Sequence, residues 1–105
     1  MRLLLICAGG LSTGILERKV NEYAKSIGDT EFVCKAHSFS RFGELHNDFD
    51  VTLYGPQVRN QKIQVFDKCE EGYPLEQIEL LDYGTMNGKN IYEKAMKIHK
   101  SNDSI

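Results

Sequence analysis

The stretch that decides the fold is Leu3-Leu-Leu-Ile-Cys-Ala-Gly-Gly-Leu-Ser-Thr-Gly14. Its first four residues, Leu3 to Ile6, form the short continuous apolar run that is typical of a strand buried on both faces. The run ends at Cys7, and glycines and hydroxyl residues then fill a turn that opens an amphipathic helix. The pattern therefore predicts a strand, a glycine-rich turn and a helix, with a thiol where the strand ends.

Cys7 is the candidate nucleophile of this chain. The first turn of a helix has unpaired backbone N–H groups, and the positive end of the helix dipole lies there. Both features stabilise a thiolate and also a phosphate placed on it. The alternative is that Cys7 is an inert buried residue, which is a common role for cysteine.

Composition excludes several classes of protein. A chain of 105 residues with a net charge of −2 predicts one domain and offers no basic field for nucleic acid. No segment has the apolar length of a membrane span or the form of a signal peptide, so we expect a cytoplasmic protein. The scattered cysteines and histidines match neither a disulfide framework nor a metal site, and we expect no metal and no cofactor. The histidines, expected at the surface or its boundary, are His37, His46 and His99.

Hydrophobic periodicity predicts alternating strands and helices along the rest of the chain. The first half of the chain is expected to form a helix over 11–27 ended by Gly28, a strand over 31–37, a connection over 38–48 with a short helix that points Phe42 and Leu45 inward, and a strand over 49–54. A helix over 57–71 with Cys69 as a core residue and a fourth strand within 75–82, placed best at 78–81, are expected next. The chain is then expected to end with a turn-rich connection over 83–88, a last helix capped by Asn87 with Ile91, Ala95 and Ile98 on its buried face, and frayed residues 101–105.

This order of elements predicts an α/β domain with a parallel sheet covered by helices on both faces. Functional residues of such sheets lie at the carboxyl ends of the strands. We therefore expect Cys7 to share one edge with two other strand ends. The further candidates for the rim of the site are Tyr54, Gln57, Asp82 and Tyr83. The alternative for the tyrosines is ordinary packing.

Two kinds of cysteine chemistry fit a thiol beneath a phosphate-binding turn. Tyrosine phosphatases hydrolyse phosphate esters and carry an arginine six residues after the cysteine, where this chain has Thr13. A threonine provides no guanidinium to stabilise the transferring phosphoryl group, which argues against efficient hydrolysis. The other kind is phosphoryl relay, in which the thiolate receives a phosphoryl group and passes it on. A neutral cradle of N–H groups and hydroxyls suits relay, because it does not over-stabilise the phosphocysteine.

The sequence resembles the enzyme IIB components of the bacterial sugar phosphotransferase system, in their lactose/cellobiose (chitobiose) class. The resemblance rests on Ile6-Cys-Ala-Gly-Gly-Leu-Ser-Thr13, Leu53-Tyr-Gly-Pro-Gln-Val58 and Asp82-Tyr-Gly-Thr-Met-Asn-Gly88, in this order over nearly the whole chain. It implies a single IIB domain over residues 1–105, with a four-stranded parallel sheet in three layers. This arrangement is similar to that of low-molecular-weight tyrosine phosphatases and flavodoxin.

The resemblance also implies a function. Cys7 would accept a phosphoryl group from a phosphohistidine of enzyme IIA and pass it to a sugar, such as cellobiose, chitobiose or lactose, during uptake through the membrane enzyme IIC. The residues expected to bind the phosphoryl group are Ala8, Gly9, Gly10, Leu11, Ser12, Thr13 and Gly14. Ser12 and Thr13 have helix capping as an alternative role.

A small cysteine phosphatase and a non-catalytic regulator that binds partner proteins remain the alternatives. No exposed apolar stripe is evident in the sequence, so we expect a cytoplasmic monomer that associates with the membrane component.

Overall fold

Four parallel strands form the central sheet of the computed structural model, which describes residues 1–7, 12–56 and 73–103. The strands are β1 (Arg2–Cys7), β2 (Val33–Ser38), β3 (Val51–Tyr54) and β4 (Leu75–Gln77). The helices are α1 (Ser12–Ser26), α2 (Phe42–Leu45, between the 3-10 turns Phe39–Arg41 and His46–Asp48), α3 (Leu80–Gly84) and α4 (Gly88–Asp103). The strand order is β2-β1-β3-β4 and every pairing is parallel, which confirms the predicted fold class.

Strand β1 lies inside the sheet and is buried on both faces. The four side chains from Leu3 to Ile6 have no exposed surface. Because side chains alternate along a strand, Leu3 and Leu5 join the core beneath α1 and α4, whereas Leu4 and Ile6 join a second core with Phe42 of α2. The uninterrupted apolar run of β1 is thus what a sheet with two covered faces requires.

The predicted carboxyl end of α1 and the predicted amino-terminal cap of α4 are confirmed. Helix α1 ends at Ser26, and Gly28 adopts a φ of +85°, which glycine reaches without steric cost. Asn87 caps α4, since its Oδ1 accepts a hydrogen bond from the backbone N–H of Asn90 at 3.0 Å. The residues predicted for the buried face of α4 do lie toward the core, and they are Ile91, Ala95 and Ile98.

Helix α4 is attached to the far end of α1 through Tyr92. The Tyr92 ring packs edge-on against Tyr23 at 5.3 Å and Phe32 at 4.9 Å between ring centroids. Its hydroxyl donates a 2.6 Å hydrogen bond to Asp29, and this bond, together with burial, raises the pKa of Tyr92 to about 12. Tyr92 therefore remains a neutral hydrogen-bond donor throughout the physiological pH range.

The fourth strand lies within the predicted range 75–82, but its placement over residues 78–81 is wrong. Strand β4 occupies Leu75–Gln77, and Ile78 donates one further backbone hydrogen bond to Tyr54 as the chain leaves the sheet. Leu80 and Leu81 begin helix α3, which also takes in the first two residues of the expected turn-rich connection. Pairing with the short strand β3 limits β4 to three residues, whatever the hydrophobicity of the residues that follow. The two leucines are 69% and 75% exposed.

The expectation that His46 lies at the surface or its boundary is wrong as well. His46 is only 4% exposed, and its ring stacks on Phe42 with 4.8 Å between centroids. Its Nδ1 lies 3.0 Å from the carbonyl oxygen of Phe42, and the Tyr73 ring packs edge-on against it. Burial is tolerated because the polar ring atom has a backbone partner. His37 and His99 are half-buried.

Residues 101–103 continue α4, contrary to the expected fraying from residue 101 onward. The sequence has neither glycine nor proline there, so nothing interrupts the helical hydrogen bonding.

Phe42 is fully buried and Leu45 is half-buried, as predicted for the short helix. The helix predicted over 57–71, with Cys69, lies outside the described residues.

The outer edge of β2 is covered by side chains of α1. Asn21 accepts a hydrogen bond from the backbone N–H of Cys34 at 2.9 Å and donates one to the carbonyl of Cys34 at 3.0 Å. One helical turn earlier, Glu17 accepts from the backbone N–H of Ala36 at 2.6 Å. These side chains therefore supply the backbone of β2 with the partners that a fifth strand would otherwise provide.

We predict that Asn21→Ala lowers the free energy of unfolding by about 1–2 kcal/mol, because two part-buried backbone groups lose their partners while alanine recovers some helix propensity. Chemical denaturation measures this change. Glu22→Ala is the matched control on the same helix, where an exposed ion pair to Arg18 at 3.5 Å contributes little. Equal losses in the two variants would contradict the role of Asn21.

We also predict that Gly88→Ala destabilises the fold by about 1–3 kcal/mol. A Cβ atom at Gly88 would lie 2.5 Å from the carbonyl oxygen of Lys19, so α4 could not pack as closely against α1. Gly84→Ala is the control, because a Cβ there meets nothing within 4 Å. Denaturation midpoints that fall equally for both variants would show that close packing at Gly88 is unimportant.

Candidate functional site

The candidate site lies at the carboxyl edge of the sheet, where the strands end in register. Ile6 of β1 pairs with Tyr54 of β3, and Tyr54 pairs with Gln77 of β4. On the other side, Cys7 pairs with Ser38 at the end of β2. Neighbouring strands are about 4.8 Å apart, so the backbone at Cys7 is close to the ends of two other strands.

Helix α1 begins at Ser12, so four residues separate it from the last residue of β1. A chain of this length places the amino terminus of a 15-residue helix at the carboxyl edge of the sheet, together with its unpaired N–H groups. Gly14 lies exposed in the first turn. Residues Ala8 to Leu11 and the side chains of Cys7, Ser12 and Thr13 are outside the described part, so their binding of phosphate stays a prediction.

Tyr54 ends β3 with its ring in the core. It is 6% exposed and packs in the second cluster with Leu4, Ile6, Phe42 and Phe49. The Tyr54 ring therefore packs β3 against the second core, which contains Phe42 of α2. Gln57, its predicted neighbour on the rim, lies outside the described residues.

Asp82 and Tyr83 are in helix α3 rather than at a strand end. The Asp82 carboxylate accepts a hydrogen bond from the Asn90 side chain at 2.9 Å, and its carbonyl accepts one from the backbone of Asn87. Tyr83 packs against the core beneath α1 and α4. These contacts join α3 to the start of α4, which explains both residues structurally, and a role on the rim stays a prediction.

Ser38 and Ser40 are polar residues of this edge that the sequence analysis did not identify. Ser38 pairs with Cys7 across the sheet, and its hydroxyl lies 2.8 Å from that of Ser40. Hydroxyl groups can donate hydrogen bonds to a phosphate. Their position at the end of a predicted strand could have indicated them as site residues. Serines are, however, too common in connections for that position to be distinctive.

Cys34 provides a contrast with Cys7. It is fully buried in β2, and burial raises the pKa of its thiol far above the usual range, with the nearby Glu17 adding to the effect. The charge on Lys35 acts in the opposite direction and is outweighed. Cys34 therefore remains a protonated thiol and is chemically inert.

In the ranges 1–7, 12–56 and 73–103, no group of histidine, cysteine, aspartate and glutamate side chains is arranged to hold a metal ion. Within the same ranges, no helix has the length and apolar character needed to cross a membrane.

We predict that iodoacetamide alkylates Cys34 at least a hundred-fold more slowly in the folded protein than in the unfolded chain, because both access and the thiolate are lost on burial. Peptide mass spectrometry after timed labelling measures both rates. The unfolded chain at the same pH is the control. Similar rates in the two states would show that Cys34 is open to reagents.

Comparison with known proteins gives consistent results. Residues 2–94 match the family model described as "PTS system, Lactose/Cellobiose specific IIB subunit". The oligo-beta-mannoside-specific EIIB component of Bacillus subtilis is 33% identical over 98 residues, which cover 92% of this chain and 94% of that protein. The galactose-specific EIIB component of Lactococcus lactis subsp. cremoris is 34% identical over 101 residues, with 87% and 89% covered. The solution structure of the cellobiose-specific IIB component from Borrelia burgdorferi superposes with a TM-score of 0.81 at 35% identity, and the match covers 97% of this chain and 94% of that one.

Proposed function

The chain belongs to the lactose/cellobiose-specific IIB family of the sugar phosphotransferase system, and we propose that Cys7 is the residue that carries its phosphoryl group. Members of this family are phosphotransferases that phosphorylate sugars during transport. A phosphoryl carrier needs a nucleophile at an accessible edge of the fold and an environment that stabilises an anion.

The observation that carries the proposal is the position of Cys7 between β1 and α1. It is the last residue of an interior strand, and the amino terminus of a 15-residue helix follows within five residues. Helix N–H groups and the helix dipole favour a thiolate and then the dianionic phosphate bound to it. Cys34 lacks both features because it lies within β2 under α1.

The first step is transfer from a protein phosphohistidine. The Cys7 thiolate attacks phosphorus, the P–N bond breaks, and the imidazole nitrogen leaves with the electron pair while an S–P bond forms. Residues Ala8 to Gly14 would bind the equatorial phosphoryl oxygens through backbone N–H groups and the hydroxyls of Ser12 and Thr13. Because every one of these donors is neutral, the phosphocysteine is held without losing its reactivity.

The second step is transfer to a sugar. A sugar hydroxyl oxygen attacks phosphorus, the S–P bond breaks, and the thiolate leaves with the electron pair as the hydroxyl proton is released to a base. The donor in the first step is an enzyme IIA, and the sugar is presented by a membrane enzyme IIC. The three similar proteins are specific for oligo-β-mannosides, galactose and cellobiose, so the proposed substrate is a mono- or oligosaccharide and no single sugar is favoured.

We predict that the chain gains the mass of one phosphoryl group when incubated with phosphoenolpyruvate, the general phosphotransferase proteins and a lactose/cellobiose-class enzyme IIA. Cys7→Ser should show no gain under conditions that label the wild type completely, since the hydroxyl is far less nucleophilic than a thiolate. Intact-mass spectrometry measures the gain. Cys34→Ala is the matched control and should gain the phosphoryl group normally.

Undiminished labelling of Cys7→Ser would contradict the proposal. If the wild type gains nothing but hydrolyses an aryl phosphate, the chain is a cysteine phosphatase. A wild type that shows neither activity but binds enzyme IIA would be a regulator.

A further inference from the structure

The exposed large apolar side chains of the described residues are unevenly distributed. They are Ile15, Ile27, Leu80 and Leu81. Leu80 and Leu81 start α3, three and four residues after the end of β4. Ile15 lies in the first turn of α1, which begins five residues after Cys7. Three of the four thus lie at the carboxyl edge of the sheet, and Ile27 lies beyond the other end of α1.

Helix α3, which carries the two leucines, is held in place by packing and by hydrogen bonds. Helix α3 uses its inner side to pack Tyr83 against the core, next to the buried Ile78. Leu81 receives hydrogen bonds on its carbonyl from the backbone and the hydroxyl of Thr85, the latter at 2.8 Å. The backbone that carries the exposed pair is therefore pre-ordered, which lowers the conformational entropy lost when a partner binds.

The leucines have an acidic border. Residues 75–88 contain three carboxylates, Glu76, Glu79 and Asp82, and neither lysine nor arginine. Glu76 and Glu79 are exposed, and Lys94 of α4 approaches Glu79 at 3.4 Å. An apolar pair with such a border fits a surface in which apolar residues are surrounded by lysine or arginine.

We propose that Leu80 and Leu81, with their acidic border, form the docking surface for the phosphohistidine donor of Cys7, a protein with a basic, partly apolar surface. This inference rests on the proposed function. The ends of β1 and β4 are two strand spacings apart, about 10 Å, so a protein seated on α3 reaches Cys7 with its reacting residue. Transfer between two protein side chains requires such a contact, because the imidazole must be brought into line with the thiolate.

The test measures the initial rate of phosphoryl transfer from phosphorylated lactose/cellobiose-class enzyme IIA to wild type and to Leu80→Gln/Leu81→Gln as a function of chain concentration. We expect KM to rise about ten-fold, which corresponds to about 1.4 kcal/mol of docking free energy, with kcat within two-fold of the wild type. Ile27→Gln is the matched control, since it makes the same chemical change at the opposite end of α1 and should leave both constants unchanged. Thermal unfolding of all three proteins verifies that each is folded.

An unchanged KM in the double variant overturns the docking surface while leaving Cys7 as carrier. A lower kcat at unchanged KM also overturns it, since α3 would then act on the reacting residues. Normal transfer from enzyme IIA with impaired transfer to sugar would assign the surface to the membrane component instead. If the wild type accepts no phosphoryl group from enzyme IIA, the proposed function itself fails.

Discussion

Hydrogen bonding of β1 on both sides is the constraint on which the rest of the structure depends. Strand β1 pairs in parallel with β2 and β3 at once, so both of its edges are occupied, and a parallel sheet of this kind has both faces covered by helices. Leu3 to Ile6 meet this requirement with four apolar side chains that have no exposed surface. The end of β1 is fixed by the same pairing, so the position of the Cys7 backbone follows from the core of the protein.

The parts of the fold that could be predicted from the sequence are those in which local pattern and burial agree. The helix that ends near Gly28 and the cap at Asn87 follow from periodicity and from the preferences of single residues. The apolar run before Cys7 identified an interior strand because four adjacent apolar residues have no alternative place in a small domain.

The errors occurred where tertiary contacts decide the outcome. Leu80 and Leu81 look like strand residues in sequence, but the partner strand ends before they are reached. His46 looks like a surface residue, and the Tyr73 ring that packs against it comes from 27 positions further along the chain. Ser38 becomes a neighbour of Cys7 only through the register of β1 and β2, which the sequence does not encode locally.

The side chains of Glu17 and Asn21, which cover the outer edge of β2, affect the tendency of the protein to aggregate at high concentration. An unprotected outer strand is a template on which a second molecule can add its own strand, and repeated addition leads to fibrous aggregates. In this protein, a second molecule would first have to break the three hydrogen bonds that α1 makes to Cys34 and Ala36. The helix that presents its amino terminus to the candidate site thus also hinders the addition of a strand from another molecule at the β2 edge of the sheet.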